Sequence, residues 1–244
     1  MKQAIWNGKH VLVEKSITLN SSELEEAIAH AKEHGVVIGE AMTIYHMPLY
    51  KKLREILDSG KLGKVNLITL NFGSFKDYDM SNRFFNRKLA GGAMLDIGVY
   101  ALSFIRYFMS SKPDQILSQM KPAPTGVDEQ AGLLLTNPDG QMASVMLSLH
   151  SKQPKRGMVS CEKGYIEIME YPRAWEAVIT YTESGEKEVV KAGEHADALA
   201  YELADMEQAI GGDADCMYLS YTKDVMDLMT DCLLYTSPSP RDRG

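Results

Sequence analysis

The sequence predicts an α/β fold in which a short parallel β-α-β unit precedes an α+β part built on a large, mostly antiparallel sheet. Three observations predict it. Two short β-rich runs, "HVLVEKS" and "VVIGEAM", bracket one helical stretch with tight connections, the order of a parallel sheet. Further on, apolar runs are joined by turn sequences at Asn137-Pro138-Asp139-Gly140, Lys163-Gly164 and Ser184-Gly185, the mark of antiparallel hairpins. Two helical patterns, "ALAYELADMEQAIGGD" and "SYTKDVMDLMT", follow the hairpins.

Taken in order, "MKQAIWNG" has the character of the last turns of a helix stopped at Gly8, where a residue free to take positive φ is favoured. "HVLVEKS" ends in charge, as a buried parallel strand does where its carboxyl end meets a ligand. In "NSSELEEAIAHAKEHG", Asn20 and Glu23 have capping-box spacing, and Leu24, Ala27, Ile28 and Ala31 share one helix face. After about residue 41 the pattern changes. "MPLYKKLREILDSGKLG" is a helix with Leu49, Leu53, Ile56 and Leu57 inward, and "KVNLITLNFGSF" is a long strand. Met94, Met109, Met142 and Met146 lie in apolar stretches and are expected to fill core. No internal repeat is present.

Composition narrows the function. The chain has 244 residues, enough for a full core and one or two domains. A formal charge of −7, with no run of Lys or Arg, argues against a nucleic-acid surface. No apolar stretch is expected to span a bilayer, and the first residues lack the pattern of a signal peptide. The three cysteines, Cys161, Cys216 and Cys232, have no C-x-x-C spacing, so neither a disulfide framework nor a metal site is expected. These features lead to the expectation of a cytoplasmic protein.

The stretch "RKLAGGAMLDIGVYALSFIRYF" carries the most chemistry. Its apolar helix opens on Gly91 and Gly92 and bears Asp96 and Tyr100, four residues apart and hence on one face. A packing helix needs neither polar group, and each costs free energy if buried unpartnered. Lys15, at the end of the first strand, could supply a charge that lowers the phenol's ordinary pKa near ~10. Gly91 and Gly92 would let a ligand approach the helix start. On residue type alone, Asp96 and Tyr100 are better explained by packing or solvent contact, and Lys15 by a surface position.

Three stretches carry a family resemblance. "GKHVLVEKS" resembles the G-K-H-V-L-x-E-K-P strand of the glucose–fructose oxidoreductase, inositol dehydrogenase and MocA family (Gfo/Idh/MocA). "GGAMLDIGVY" resembles that family's G-G-x-x-x-D-x-G-x-[HY] helix, and "EAMTIYHMPLYKKLREIL" with "GKLGKV" is similar to the branch containing dihydrodiol dehydrogenases. The resemblance runs over about residues 1 to 231. It implies an NAD- or NADP-dependent oxidoreductase acting on a polyol, sugar or diol, with Lys15, Asp96 and Tyr100 as the catalytic set. It also implies cofactor contacts from Glu14, Lys15 and Arg83, substrate contacts from Gly91, Gly92 and His46, and homo-oligomers formed through the antiparallel sheet. Arg83 is nearly as well explained as a solvated loop residue, and His46, near the expected cleft mouth, is better explained as a packed histidine. His10 is expected to be structural. In place of an enzyme, a non-catalytic dimerisation module or a redox-inactive sugar-binding fragment would share the sheet.

The pattern departs from the family in three places. Ser16 stands where the family has proline, so a less rigid backbone is expected after Lys15. No G-x-G-x-x-G turn occurs, and Met1 falls within what should be a late helix of a Rossmann domain. The expected organisation is therefore a Rossmann remnant over 1–40, a substrate and oligomerisation domain over 41–231, and a fragment that binds cofactor poorly. The last residues, "CLLYTSPSPRDRG" (232–244), resemble a translated sequencing adapter and are expected to be a disordered artefact.

Overall fold

The computed structural model of the chain describes residues 1–236. Helix α1 (Lys2–Trp6) stops before Gly8, and β1 (Val11–Glu14) follows. Helix α2 (Ser21–Glu33) then crosses to β2 (Ile38–Ala41), which pairs parallel with β1 from Val11–Ile38 to Glu14–Ala41. The start of α2 is capped much as its sequence predicts. Asn20 accepts the N–H of Glu23 at 2.9 Å, while the Glu23 carboxylate reaches past the cap to the N–H of Leu19 at 3.1 Å. Leu24, Ala27 and Ala31 are buried on its inner face.

Two short helices, α3 (Thr43–His46) and α4 (Pro48–Asp58), lead to β3 (Val65–Gly73). Pro48 suits the first turn of α4 because the N–H it lacks would be unpaired there anyway. A long loop and a π-helical turn (Met94–Gly98) run into α5 (Val99–Phe108). Seven strands follow: β4 (Gln115–Pro122), β5 (Asp128–Thr136), β6 (Met142–Ser148), β7 (Gln153–Cys161), β8 (Gly164–Met169), β9 (Glu176–Tyr181) and β10 (Lys187–Lys191). Helices α6 (Ala198–Ile210) and α7 (Leu219–Thr236) come last.

The large sheet has eight strands in the order β10-β9-β8-β7-β3-β6-β5-β4. Every neighbouring pair is antiparallel except β3 with β6, so the predicted hairpins form and β3 is inserted between two of them. Helix α5 packs on the inner face of this sheet. Gly157 on β7 lets it come close: a Cβ there would lie 2.7 Å from the Phe104 ring. Phe104 meets Phe108, Tyr171 and Tyr50 at centroid distances of 4.8, 5.4 and 6.0 Å. This aromatic packing is the centre of the core.

Several expectations are corrected. Met94 and Met109 are buried as predicted, but Met142 and Met146 are exposed. On β6 the inward positions go to Ala143, Val145 and Leu147, and strand alternation turns both methionines outward. The stretch Arg87–Phe108, at 22 residues, is long and apolar enough to cross a membrane by length and composition, contrary to the sequence reading. Its apolar side chains instead face α7, α3 and the sheet, and 67% of an 18-residue window within it is buried. Strand β4 has no counterpart in the sequence-based assignment, because its half-buried Ile116 and Met120 make too short a period to stand out. Helix α7 continues to Thr236 with Cys232 fully buried, so the expected unstructured segment does not begin at 232. The remainder of that segment, 237–244, lies outside the described residues.

Because Phe104 fills the space above Gly157, Phe104→Ala should cost about 3–5 kcal/mol. Urea unfolding followed by circular dichroism checks this. A loss below about 1 kcal/mol would mean that α5 does not pack on β7 as described.

Candidate active site

Lys15 follows the last residue of β1 and reaches from the parallel unit to the π-helical turn. Its Nζ donates to the backbone carbonyl of Asp96 at 2.6 Å and lies 3.4 Å from Asp96 Oδ1. The same ammonium sits 4.9 Å from the centroid of the Tyr100 ring. Arg83 Nη2 donates to the same Asp96 Oδ1 at 3.2 Å. Lys15, Asp96, Tyr100 and Arg83 therefore converge. Asp96 is only 9% exposed, and two cations compensate its charge.

The loop after Lys15 is held at two points. Ser16, in the place of the family's proline, donates its hydroxyl to the Leu95 carbonyl at 3.1 Å. The N–H of Ile17 donates to Glu40 Oε1 at 3.0 Å. The looser backbone expected from the serine is thus countered by a side-chain bond that proline cannot make. The Lys15–Ser16 peptide is cis.

Tyr100 departs from its expected chemistry. Burial pushes its phenol up to about 12; the Arg173 charge opposes this, while Glu14, Asp96 and Glu202 add to it. Lys15 lies 4.9 Å from the ring centroid, but burial outweighs the nearby positive charge, and the phenol is raised where the sequence reading expects it lowered. At neutral pH the group is a neutral phenol and a proton donor.

The other sequence-predicted residues fall into two groups. Glu14 is exposed at the end of β1, and its charge is felt at Tyr100. His46 is not at a cleft mouth. It is 1% exposed, with Nδ1 2.7 Å from Asp205 Oδ2, and Lys51 donates to the same carboxylate at 2.9 Å. Burial opposes the charge of Asp205, but His46 and Lys51 together hold it below the usual carboxylate range. His10 accepts the N–H of Val37 at 2.9 Å, a structural role as expected.

Gly91 and Gly92 are explained by packing. A Cβ on Gly91 would lie 2.6 Å from the Arg83 carbonyl and 2.8 Å from the Asn86 nitrogen. Gly92 has φ +122°, and its missing side chain leaves room for the Asp128 carboxylate. Asp128 in turn accepts the N–H of Met94 at 2.7 Å and caps the helix start. Burial pushes Asp128 up to about 6 against the pull of the Met94 and Ala93 N–H groups.

Sequence reading missed Arg173, Glu202 and Asp128. Glu202 is 2% exposed on α6 and accepts from the Thr43 hydroxyl at 2.8 Å. A signal did exist for it: Ala198, Glu202, Asp205, Met206 and Ala209 form the buried face of α6, and two acids on an apolar face require partners. Arg173 follows Pro172 in a short turn and has no such periodic signal. Among the described residues, no three of His, Cys, Asp and Glu are grouped as for a metal ion.

Residues 50–167 match the family model of the GFO/IDH/MocA C-terminal domain. This chain carries a GFO/IDH/MocA C-terminal domain. Among curated proteins, trans-1,2-dihydrobenzene-1,2-diol dehydrogenase from Mus musculus is 33% identical over 175 residues, covering 70% of this chain and 51% of the mouse protein. The Xenopus tropicalis enzyme of the same name is 31% identical over 163 residues, covering 66% of this chain and 49% of its own length. The chain thus spans about half the length of these relatives. The GFO/IDH/MocA fold is also seen in solved structures. The 3-ketoreductase KijD10 from Actinomadura kijaniata, in complex with NADP and TDP-benzene, superposes with a TM-score of 0.84 at 20% identity, covering 96% of this chain and 73% of KijD10. Aldose-aldose oxidoreductase from Caulobacter crescentus gives 0.81 at 21% identity, covering 97% of this chain and 73% of that one.

The Asp128 cap has a pH signature. Its raised pKa means that the stability it contributes is fully present below its ordinary 3.8 and is lost as pH rises through about 6. Relative to Asp128→Asn, the native chain should therefore lose on the order of 3 kcal/mol between acid and neutral pH. Urea unfolding of both proteins across that range checks this, and a constant difference would refute it.

Proposed function

We propose that this chain provides the substrate side of a hydride-transfer site, acting between NAD or NADP and a secondary alcohol or carbonyl of a sugar, cyclitol or diol. The observation that carries the reading is the convergence of the Lys15 ammonium, the Asp96 carboxylate and the Tyr100 ring at the carboxyl end of a parallel strand pair. The names of the relatives agree with it: diol dehydrogenases, a 3-ketoreductase with NADP bound and an aldose-aldose oxidoreductase.

The donor set suits such ligands. Lys15 has three N–H donors, and those not committed to Asp96 suit a substrate oxygen or a nicotinamide carboxamide. Glu14 and Arg83 flank it on the cofactor side in this reading. A nicotinamide dinucleotide, when bound, supplies or accepts the hydride. Tyr100 as a phenol delivers a proton to the oxygen of a carbonyl being reduced, and as the phenolate takes one from an alcohol being oxidised. Asp96 holds the ammonium and orients it. The sequence contains no G-x-G-x-x-G turn for a pyrophosphate. We therefore read these residues as the nicotinamide and substrate end of the site, with weak affinity for the dinucleotide on their own.

The outer sheet face supports self-association in the same reading. Leu117, Leu134, Met142 and Met146 are 72%, 40%, 40% and 59% exposed on adjacent strands. A flat apolar face of this kind suits a second copy of itself. Met146→Glu should shift light scattering toward monomer, and an unchanged mass would refute this surface.

Hydride transfer is tested by nicotinamide absorbance, with the chain joined to a complete dinucleotide-binding half. Lys15→Ala should lower turnover by about 100-fold or more. Alcohol oxidation should also accelerate with rising pH, since more phenolate forms on the approach to about 12, and Tyr100→Phe should remove both the slope and most of the rate. Near-normal turnover in Lys15→Ala would overturn the reading.

A further inference from the structure

Glu40 lies at the carboxyl end of β2, 1% exposed, in a strand whose residues are all buried. A carboxylate in such a place needs a reason, because burial alone disfavours its charge. Its two oxygens are used separately. Oε1 accepts the N–H of Ile17 at 3.0 Å, two residues beyond Lys15, and Oε2 accepts the Thr222 hydroxyl from α7 at 3.2 Å. We propose that Glu40 is a positioning residue for Lys15, anchoring the Ser16–Ile17 backbone from below while α7 fixes the carboxylate in place. The proposal rests on the reading of Lys15 as the group that meets substrate and nicotinamide.

The geometry gives this anchor a purpose that packing does not. Among the described residues, the loop is attached to the π-helical turn by Lys15 itself and by the Ser16 hydroxyl on Leu95. Glu40 supplies the opposing attachment, so the start of the Lys15 side chain is fixed from both sides. Displacements of about 1 Å in a reacting group are costly for catalysis. The ionisable groups around Glu40 are Lys15 on the loop, whose charge favours the carboxylate, and Tyr45 on α3. Burial raises Glu40 to about 7 against the Ile17 and Thr222 bonds and the Lys15 charge. The anchor therefore gains its full charge only as pH rises past neutrality.

The test is competitive labelling of the full chain with acetic anhydride, with Lys15 and exposed Lys152 quantified by mass spectrometry. Glu40→Gln keeps the shape and one acceptor but removes the charge. Above pH ~8 it should raise the Lys15 to Lys152 labelling ratio at least about threefold, and the excess should vanish below pH ~6, where Glu40 is itself protonated. Hydrogen exchange at the Ile17 amide should accelerate in parallel. In the native chain the same ratio should fall as pH rises through about 7, a measurement that needs no variant. A ratio with no break near neutrality, or a folded Glu40→Gln protein with unchanged Lys15 labelling, would overturn the proposal. Neither measurement uses cofactor or substrate. Near-normal turnover in Lys15→Ala would instead overturn the functional reading, whatever the labelling shows.

Discussion

The contact between the Lys15 ammonium and the Asp96 carbonyl and carboxylate ties the two parts of the molecule into one site. On one side is a parallel pair of strands whose carboxyl ends present charge; on the other is an apolar helix that packs on an eight-stranded sheet. Without this contact Asp96 would keep only the exposed Arg83 as a counter-charge, and a carboxylate that is 9% exposed would be poorly compensated. The helix start, the Ser16 bond to Leu95 and the Arg83 pairing are all arranged about the same few atoms.

Electrostatics in this site follow from burial first and charge second. Tyr100 is raised because it is removed from water, and the nearby acids outnumber the cation that opposes them. In the function proposed above, a neutral phenol beside a lysine suits protonation of an oxygen that gains negative charge as hydride arrives at carbon. Asp128 and Glu40 share this pattern: each is raised by burial and held by N–H donors at a chain segment that places a site residue. Both buried carboxyls accept backbone N–H groups near the Lys15–Asp96 contact, where apolar packing could not satisfy those buried donors.

Much of this was legible in the sequence, for identifiable reasons. The β-α-β unit, the α2 cap and the hairpin turns depend on local patterns, and each formed where its residues predict. The proximity of Lys15 to Asp96 was not legible from spacing, since 81 residues separate them; it followed from motif resemblance. The readings that failed share another cause. Gly91 and Gly92 suggested ligand access, yet their space is taken by the Arg83 loop and by Asp128, which lies on a distant strand. For His46 the favoured packed position holds and the cleft-mouth role does not, since it is buried against Asp205 of α6. The outward turn of Met142 and Met146 is set by strand alternation, which apolar character alone does not reveal.

The account depends most on the energetic link between position 15 and position 96, and a double-mutant cycle measures it directly. Lys15→Met, Asp96→Asn and the double variant should be compared by urea unfolding. A coupling of about 1 kcal/mol or more is predicted, since the pair is partly buried and in contact. Additivity within about 0.3 kcal/mol would contradict the shared site on which the functional reading stands.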